Sequence, residues 1–269
     1  MNTFPHLILV LGMHRSGTSV LTRALKVFKV FIGSKHLARA DNPKGFFEDA
    51  DFVSLNEDLF RHLGLSWMDP KEIPQNKLLD LLNGELREKA YSFLAFKLKE
   101  HRILGLKDPR ASRLLPFWRA IAKSLNSRVS CLISLRFPLS VAASLKKRDN
   151  LELEQSLALY CAYLRDTLWA SANLPRLVVN YEAVLCDPKK QLQRIGTFLD
   201  LEPDQAQAET FAESFLDLNL CHHQNLDFTS SLRVYKQASM LYSLLNRASN
   251  YEAKQRLDQR LVEQVLSRN

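Results

Sequence analysis

The stretch HLILVLGMHRSGTSVLTRA, at positions 6–24, decides the fold. It begins with a run of apolar residues at 7–13 that only Gly12 interrupts, and it continues as a polar loop at 14–19. Apolar residues then return with helical spacing at Val20, Leu21, Ala24 and Leu25. This order predicts a strand, a tight loop and a helix. Because the loop opens a helix, its free backbone N–H groups and the positive end of the helix dipole predict a site for a phosphate-like anion.

The glycines of this loop have the spacing of a known phosphate-binding motif, with one departure. Gly12 and Gly17 are separated by four residues, as in the loop that cradles phosphates in nucleotide-binding proteins. That motif has a Lys before its Ser or Thr, whereas this chain has Thr18 before Ser19. The loop therefore predicts anion binding, and the missing Lys argues against a nucleoside triphosphate.

The composition predicts one basic globular domain over residues 1–269. The chain has 37 Lys and Arg against 29 Asp and Glu, a formal net charge of +8 and a pI near 9.3. This excess favours anionic partners, although an ordinary basic surface has the same composition. The sequence contains no internal repeat, no low-complexity segment and no linker that would divide the chain.

Cysteine usage and hydropathy predict where the protein works. The cysteines lie far apart and form no Cys-x-x-Cys pair, which favours buried thiols in a reducing compartment. The apolar run at 7–13 lacks the basic segment that precedes the apolar core of a secretory signal. No stretch approaches the ~18 apolar residues of a membrane span. We therefore expect a cytoplasmic protein without an integral membrane segment; the sequence carries no signal for an oligomeric state.

Segments of strand character alternate with helical segments along the chain. After the first strand, further strands are predicted at 103–106, 129–135 and 176–179. Helices are predicted at 17–28, up to Leu63, and at 76–100, 114–125, 138–146 and 153–174. The phenylalanines at helical spacing are predicted to lie in the core, namely Phe93, Phe96, Phe211 and Phe215. This alternation predicts an α/β fold with a central parallel sheet, helices on both faces and a helix-rich C-terminal part.

Four predicted strands end in polar residues, and in such folds the ligand site lies beyond these ends. The first is followed by the loop with Arg15, the second by Lys107, Asp108 and Arg110, and the third by Arg136. The fourth is followed by 180–182, Asn-Tyr-Glu. Since three of the four ends carry cations, a polyanion is the predicted ligand.

Two of these motifs together resemble a known family of enzymes. Arg-Ser-Gly-Thr-Ser at 15–19 is followed about 120 residues later by Arg136-x7-Ser144 at a strand-to-helix junction. This pair resembles the sulfotransferases that use 3′-phosphoadenosine-5′-phosphosulfate (PAPS). Further pieces resemble the bacterial members, namely Asn-Pro-Lys-Gly-Phe-Phe-Glu at 42–48, Lys-Asp-Pro-Arg at 107–110, and Tyr181-Glu182 with Asp187-Pro188. The resemblance covers positions from about 6 to 200 and is less clear beyond them.

The resemblance implies a P-loop-type, three-layer α/β/α fold and transfer of a sulfuryl group from PAPS to a hydroxyl or amine. The acceptor would be a glycan or a small metabolite, and the chemistry would need no metal. The implied 5′-phosphosulfate loop is Arg15, Ser16, Gly17, Thr18 and Ser19. Arg136 and Ser144 would hold the 3′-phosphate, since a guanidinium grips phosphate bidentately and a hydroxyl donates beside it. Both can face one pocket only if the helix after the strand folds back over the sheet edge, as βαβ geometry requires.

Transfer also needs a base that takes the proton of the acceptor hydroxyl. We assign Glu48 to this role, because it follows the turn at 42–45 and related families place a catalytic Glu soon after the first helix. The alternatives are His14, His36, Asp49 and Asp51. Glu48 can equally be a carboxylate that stabilises a helix N-terminus. Arg15 cannot donate a proton at neutral pH, so its implied role is electrostatic.

Four more residues are candidates with a structural alternative. Lys107 and Arg110 are predicted to bind the substrate or a cofactor phosphate, with Asp108 orienting either through an ion pair, or else to belong to a strand-to-helix corner with Asp108 as its cap. Tyr181 is predicted to contact the adenine of the cofactor, or else to lie in the core. Arg233 is a candidate phosphate contact, since related enzymes contribute cations from this late region.

Other classes of protein fit the sequence less well. A P-loop nucleotide kinase or NTPase would need the loop Lys and a magnesium-binding Asp, for which Asp108 is the only substitute. A non-catalytic nucleotide-binding relative would keep the loop but lack the base. No nucleic-acid partner is expected, because the strands lack interleaved aromatic and basic residues. No metal is expected at Leu-Cys-His-His-Gln, 220–224, because adjacent histidines do not share one ion, and 253–267 is predicted to be an amphipathic helix.

Overall fold

The sheet lies at the centre of the molecule in this computed structural model, which describes residues 4–34, 47–216 and 233–250. Within these ranges the strands are β1 (His6–Leu11), β2 (Ile103–Lys107), β3 (Arg128–Leu135) and β4 (Arg176–Asn180). All pair in parallel in the order β2-β1-β3-β4. The carboxyl ends of the strands therefore meet at one edge of the sheet, as the sequence predicted.

Helices follow every strand. They are α1 (Thr18–Leu25), α2 (Ala50–His62), α3 (Gln75–Asp80), α4 (Glu85–Glu100), α5 (Leu115–Ser124), α6 (Pro138–Asp149), α7 (Leu153–Ala170), α8 (Tyr181–Cys186), α9 (Pro188–Leu199), α10 (Gln205–Thr210) and α11 (Arg233–Ser249). A 3-10 turn at Pro109–Ser112 links β2 to α5. None of these helices is long and apolar enough to cross a membrane.

The central strand β1 shows why the fold has three layers. All six of its residues are buried, so both of its faces are covered. Leu7, Leu9 and Leu11 pack in one apolar cluster with residues of α2, α4 and α5. Ile8 and Val10 pack in another, with residues of α1, α8 and α9. Because successive side chains of a strand point to opposite faces, this division confirms a helix–sheet–helix arrangement.

A third cluster extends the core beyond the strand ends. It joins Met13, at the start of the polar loop, to Ile133 and Leu135 of β3. Residues of α6, α7 and α11 cover it, with Tyr160 and Tyr163 among those fully buried. The start of the loop after β1 therefore packs against the side chains of this third cluster.

One predicted helix is broken in the structure. The prediction of a continuous helix over 76–100 is wrong, because α3 ends in a 3-10 turn at Leu81–Asn83 and α4 begins only after Gly84. Gly84 has an extended backbone (φ −133°, ψ −175°), and glycine disfavours a helix interior by about 1 kcal/mol. Phe96 is also not core: it is 64% exposed, since α4 buries Leu94, Lys97 and Leu98 instead.

Two other helix ends differ from the prediction. Helix α6 continues past Lys146 to Asp149 and stops where Asn150 adopts the left-handed conformation (φ 56°) that ends helices. Helix α7 stops at Ala170, before the predicted end at 174. Arg176 Nη1 donates to Leu168 O (2.7 Å), which satisfies a carbonyl of the last turn.

Some predictions concern residues outside the described ranges. These are His36, most of the motif at 42–48, the segment 220–224 and the helix at 253–267. The side chain of Phe215 is likewise not described. The assignment of 1–269 to one domain stays a prediction.

Candidate functional site

Two glycines shape the loop that follows β1. Gly12 has φ 142°, and a Cβ there would lie 2.8 Å from both Ser134 O and Ser16 Oγ. Gly17 has φ 95°, and its Cβ would lie 2.4 Å from Cδ2 of Tyr181. Side chains do not tolerate such contacts or such backbone angles. The two glycines of the motif are therefore required by the path of the loop itself.

Hydroxyl groups hold the loop from inside. Ser16 is buried and donates to Met13 O (2.6 Å), while Ser134 of β3 donates to Ser16 O (2.7 Å). Gly12 N donates to Ser112 Oγ (2.8 Å), and Thr18 is buried at the first position of α1. Since Gly17 precedes α1 and has no side chain to cap it, the start of the helix retains its capacity to bind an anion.

Arg15 connects the loop to α6. It has a left-handed backbone (φ 67°), and its Nε donates to Ser144 Oγ (2.8 Å). Arg136 Nη1, at the end of β3, donates to Arg15 O (3.0 Å). The two motifs therefore meet at one residue although 129 positions separate Arg15 from Ser144. The fold-back of α6 that the sequence predicted is present.

The guanidinium of Arg136 is held in place without being fully used. It lies 4.6 Å from the centroid of the Tyr181 ring, and Tyr160 OH donates to Arg136 O (3.0 Å). Its Nε is buried and has no hydrogen-bond partner among the described residues. A buried N–H group without a partner, on a cation that is held in place, can donate a hydrogen bond to an anionic ligand.

Tyr181 lies between the two motifs rather than at their edge. Only 7% of it is exposed, because Gly17 and Arg136 approach its ring. The structure thus shows the core position that the sequence left open as an alternative. A contact between Tyr181 and an adenine stays a prediction.

The predicted base and a predicted substrate-binding residue form an ion pair. Lys107 Nζ lies 2.7 Å from Glu48 Oε1, and their side chains are 2% and 15% exposed. Burial raises the pKa of Glu48, although the charge of Lys107 opposes the shift. Burial also lowers the pKa of Lys107, with Glu48 opposing. Burial thus disfavours the charged form of both side chains. As a result, the Glu48 carboxylate holds a proton more tightly than an exposed Glu.

Arg110 belongs to a network around Asp108. The fully buried Asp108 accepts bonds from Arg110 N (3.0 Å), Arg110 Nη1 (3.1 Å) and Asn56 Nδ2 (3.0 Å). Asn56 in turn accepts from Trp118 Nε1 (2.7 Å), and Arg110 also pairs with Glu57 (2.9 Å). Asp108 is therefore a cap and network centre, and both of its oxygens are engaged. This disfavours Asp108 as the magnesium ligand of a nucleotide kinase.

Two other candidate bases lie next to Glu48. Asp49 caps α2 by accepting from Asp51 N (3.2 Å) and pairs with Lys97 (2.8 Å) in a buried position. Asp49 is thus occupied in holding the start of α2, directly after Glu48. Asp51 lies in the first turn of the same helix.

His14 lies in an aromatic environment that the sequence did not predict. Its ring centroid is 4.5 Å from that of Trp67 and 5.7 Å from that of Tyr163. The guanidinium carbon of Arg148 lies over the Trp67 ring, 5.3 Å from its centroid. Trp67 comes from the loop between α2 and α3, which no motif connects to the site. Helical spacing could have placed Arg148 near the site, because it follows Ser144 by one helical turn.

The C-terminal helix α11 reaches the strand ends through its second half. Asn180 Nδ2 donates to Asn246 Oδ1 (2.8 Å) and to Tyr242 OH (3.3 Å), and Tyr242 packs against Phe137 (5.4 Å between ring centroids). Arg233 is the exposed first residue of this helix. It lies about 20 Å along the axis from Asn246. Its role as a phosphate contact stays a prediction.

Among the described residues, no cluster of three or more His, Cys, Asp or Glu side chains could hold a metal ion. The cations of the site instead surround the loop, and Arg15, Arg136, Lys107 and Arg110 all lie at the carboxyl edge of the sheet. The arrangement can bind a large anion beside a carboxylate with a raised pKa.

Solved structures with a similar fold were found. The sulfotransferase domain of the Synechococcus PCC 7002 olefin synthase has a TM-score of 0.51 at 18% identity, over 98% of this chain and 94% of that one. The sulfotransferase domain of the curacin biosynthetic pathway has a TM-score of 0.47 at 15% identity, over 99% and 98%. Retinol dehydratase in complex with androsterone and inactive cofactor PAP has a TM-score of 0.39 at 16% identity, over 79% of this chain and 65% of that one. No protein-family model and no curated protein matches the chain. The likeness to the olefin synthase domain shows that this chain has the α/β fold of a sulfotransferase domain.

Proposed function

We propose that this protein transfers a sulfuryl group from PAPS to a hydroxyl or amine of an acceptor, a glycan or a small metabolite. One observation carries the proposal: Arg15 of the loop contacts Ser144, and Arg136 donates to the backbone of Arg15. Two anion-binding motifs are thereby joined at a helix N-terminus, as a donor with phosphates at both ends requires. The fold of a sulfotransferase domain supports the same conclusion.

The residues of the loop would hold the 5′ end of the donor. The backbone N–H groups of 15–19 and the dipole of α1 favour its negative charge. Arg15 would neutralise the charge that develops on the transferred group and on the leaving oxygen. Arg136 and Ser144 would bind the 3′-phosphate, for which the orphaned Nε of Arg136 is available. Tyr181 would keep the Arg136 guanidinium in place and border the adenine.

Glu48 would act as the base. Its raised pKa makes the carboxylate a better proton acceptor than an exposed Glu at the same pH. The acceptor hydroxyl gives its proton to Glu48 while its oxygen bonds to sulfur. The donor supplies the sulfuryl group and leaves as 3′-phosphoadenosine-5′-phosphate (PAP). Lys107 and Arg110 would bind the acceptor or the transferred group, and Lys107 would also orient Glu48.

The location included in this proposal is cytoplasmic. Cys131 and Cys161 are buried free thiols, and burial raises the pKa of each to about 12. Thiols in this state are inert and suit a reducing compartment.

Calorimetry with PAP tests the proposal. We expect PAP to bind and Arg136→Ala to weaken binding by about tenfold to a hundredfold, since hydrogen bonds to charged groups contribute about 1.5–3 kcal/mol. Arg128→Ala is the matched control, because it removes a cation from the opposite end of the same strand. It should leave the affinity unchanged.

Turnover is then measured as PAP release from PAPS with a set of hydroxyl and amine acceptors. Absence of PAP binding, or equal losses in Arg136→Ala and Arg128→Ala, would contradict the proposal. Binding without transfer to any acceptor would show a non-catalytic relative. Magnesium-dependent ATP turnover would indicate a nucleotide kinase or NTPase instead.

A further inference from the structure

His14 has a nitrogen that the surrounding protein does not use. Its ring lies against Trp67 and Tyr163, directly before Arg15 in the donor loop. Nε2 is shielded from solvent and has no hydrogen-bond partner among the described residues. The rings are themselves fixed: Tyr163 OH donates to Trp67 O (3.0 Å), and the buried Arg113 binds Asp69 O and Lys71 O of the same loop. His14 is therefore held in one place with an unsatisfied polar atom.

Positive charges reach His14 from three elements. Arg15 follows it in the loop, Lys107 and Arg110 lie at and beyond the end of β2, and Arg148 of α6 covers Trp67. Burial, and then the charges of Arg110, Arg148, Lys107 and Arg15, hold the pKa of His14 well below its usual value. The imidazole is therefore neutral at neutral pH in this structure.

The negative charges near these cations are already engaged. Glu48 pairs with Lys107 (2.7 Å), Asp108 with Arg110 (3.1 Å), and Asp149 with Arg148 (2.7 Å). On α7, Asp166 pairs with Arg113 (2.7 Å) beside the Tyr163 ring. Arg15 Nε donates to Ser144 Oγ beside the start of α1, where an anion would bind.

We propose that His14 is an additional cation of the donor site: its imidazole is neutral without donor and takes up one proton from solvent when an anionic nucleotide occupies the loop at 15–19. The proposal rests on the proposed function. Each phosphate group brings a charge of about −1.5 to −2 at neutral pH. Such charge gives the protonated imidazole an attractive partner, which opposes the burial and the charges of Arg110, Arg148, Lys107 and Arg15 that disfavour it. By linkage, protonation of His14 tightens donor binding to the same extent.

Nuclear magnetic resonance of the histidine ring protons tests this directly. The His14 signal is assigned by its loss in His14→Gln, and its shift is followed from pH 5.5 to 8 with and without saturating PAP. Without PAP we expect no titration in this range. With PAP we expect the His14 signal to titrate with a midpoint inside this range, which corresponds to at least a tenfold gain in proton affinity. Absence of a titration in this range with PAP bound would overturn this inference alone, whereas absence of PAP binding would overturn the proposed function and this inference with it.

Affinity measurements provide the second readout. The ratio of the PAP dissociation constant of His14→Gln to that of the native protein should grow as the pH falls from 8 to 6, because only the native protein gains the extra cation. Taking this ratio removes the effect of titrating phosphates on PAP. His62→Gln, which replaces an exposed histidine at the end of α2, is the control and should give a constant ratio near one. A constant ratio for His14→Gln would contradict the proposal.

Discussion

Each edge of the parallel sheet holds a histidine that burial and arginines keep neutral, but the two histidines differ in their hydrogen bonds. At the amino edge, Arg128 Nη2 bonds His6 Nδ1 (2.9 Å) and Ser130 Oγ bonds its Nε2 (2.9 Å). An arginine can only donate, so Nδ1 accepts and Nε2 donates to Ser130. Burial and Arg128 lower the pKa of His6 to about 4. Both nitrogens are satisfied within the protein.

At the carboxyl edge, two buried nitrogens are held in place without a hydrogen-bond partner. His14 Nε2 and Arg136 Nε are buried without hydrogen-bond partners in the described part of the chain. The same residue types therefore form a closed structural cluster at one edge and a cluster with spare capacity at the other. A buried polar group without a partner costs about 1–3 kcal/mol, so a ligand that reached these two atoms would recover that free energy.

The largest expected difference between the edges concerns Glu48. Glu48→Gln should lower kcat by about 10²- to 10⁴-fold, because an amide cannot accept the proton of the acceptor. Since the pKa of Glu48 is raised, native activity should fall with decreasing pH already above the usual range of a glutamate. PAP release at saturating PAPS measures both effects. Glu57→Gln, which also removes a carboxylate paired with a cation, is the control and should lose less than about fivefold. Equal losses would mean that Glu48 only supports Lys107.

Arg15 should show the next largest effect. Arg15→Ala is expected to reduce kcat about a hundredfold, equivalent to about 3 kcal/mol, because it removes one electrostatic stabiliser of the transferred group. Arg15→Lys keeps the charge but not the planar group that reaches Ser144, so its kcat should lie between those of the native protein and Arg15→Ala. Arg128→Ala, at the amino edge, should change kcat by less than twofold. The distinction between the edges fails if Arg128→Ala matches Arg15→Ala.

His6 should contribute to the acid sensitivity of the fold. Its pKa is about 4 when folded and near 6.5 when unfolded, so the unfolded state binds more protons between these values. Stability is therefore lost as the pH falls from 6.5 towards 4, by about 3 kcal/mol in full and about 2 kcal/mol at pH 5. Urea unfolding at pH 7 and pH 5 measures this loss. Between pH 7 and pH 5, His6→Gln should lose about 2 kcal/mol less unfolding free energy than the native protein. An equal loss in both proteins would refute the lowered pKa of His6.

Local sequence predicts the loop after β1 well. The strand, the two glycines and the start of α1 depend on neighbouring residues and can be derived from spacing alone. Arg136 and Ser144 were paired by the family resemblance, and the contact of Ser144 with Arg15 is visible only in the fold. The break at Gly84 was also accessible, since glycine disfavours helices, but the apolar stripe around it concealed the break.

The contacts of Glu48, His14 and Asp108 depend on long-range packing and were not predictable in the same way. The pair Lys107–Glu48 joins positions 59 apart, and the contact of His14 with Trp67 joins a loop to a segment without a motif. Whether Asp108 binds a ligand or caps a turn is decided by Asn56 and Arg110, whose directions no periodicity reveals. Charge and residue type identify such groups as candidates, while only the fold assigns their partners.

The smallest expected effects compare two serines, one at each edge. Ser144→Ala removes the acceptor of the Arg15 Nε bond and should raise the PAP dissociation constant about fivefold, since such a bond contributes about 1 kcal/mol. Ser130→Ala removes the partner of His6 and should lower the free energy of unfolding by about 1 kcal/mol while leaving PAP affinity within twofold. Calorimetry and urea unfolding of both variants measure the two quantities. If Ser130→Ala weakens PAP binding as much as Ser144→Ala does, the edges are coupled through the sheet, and the amino edge is not purely structural.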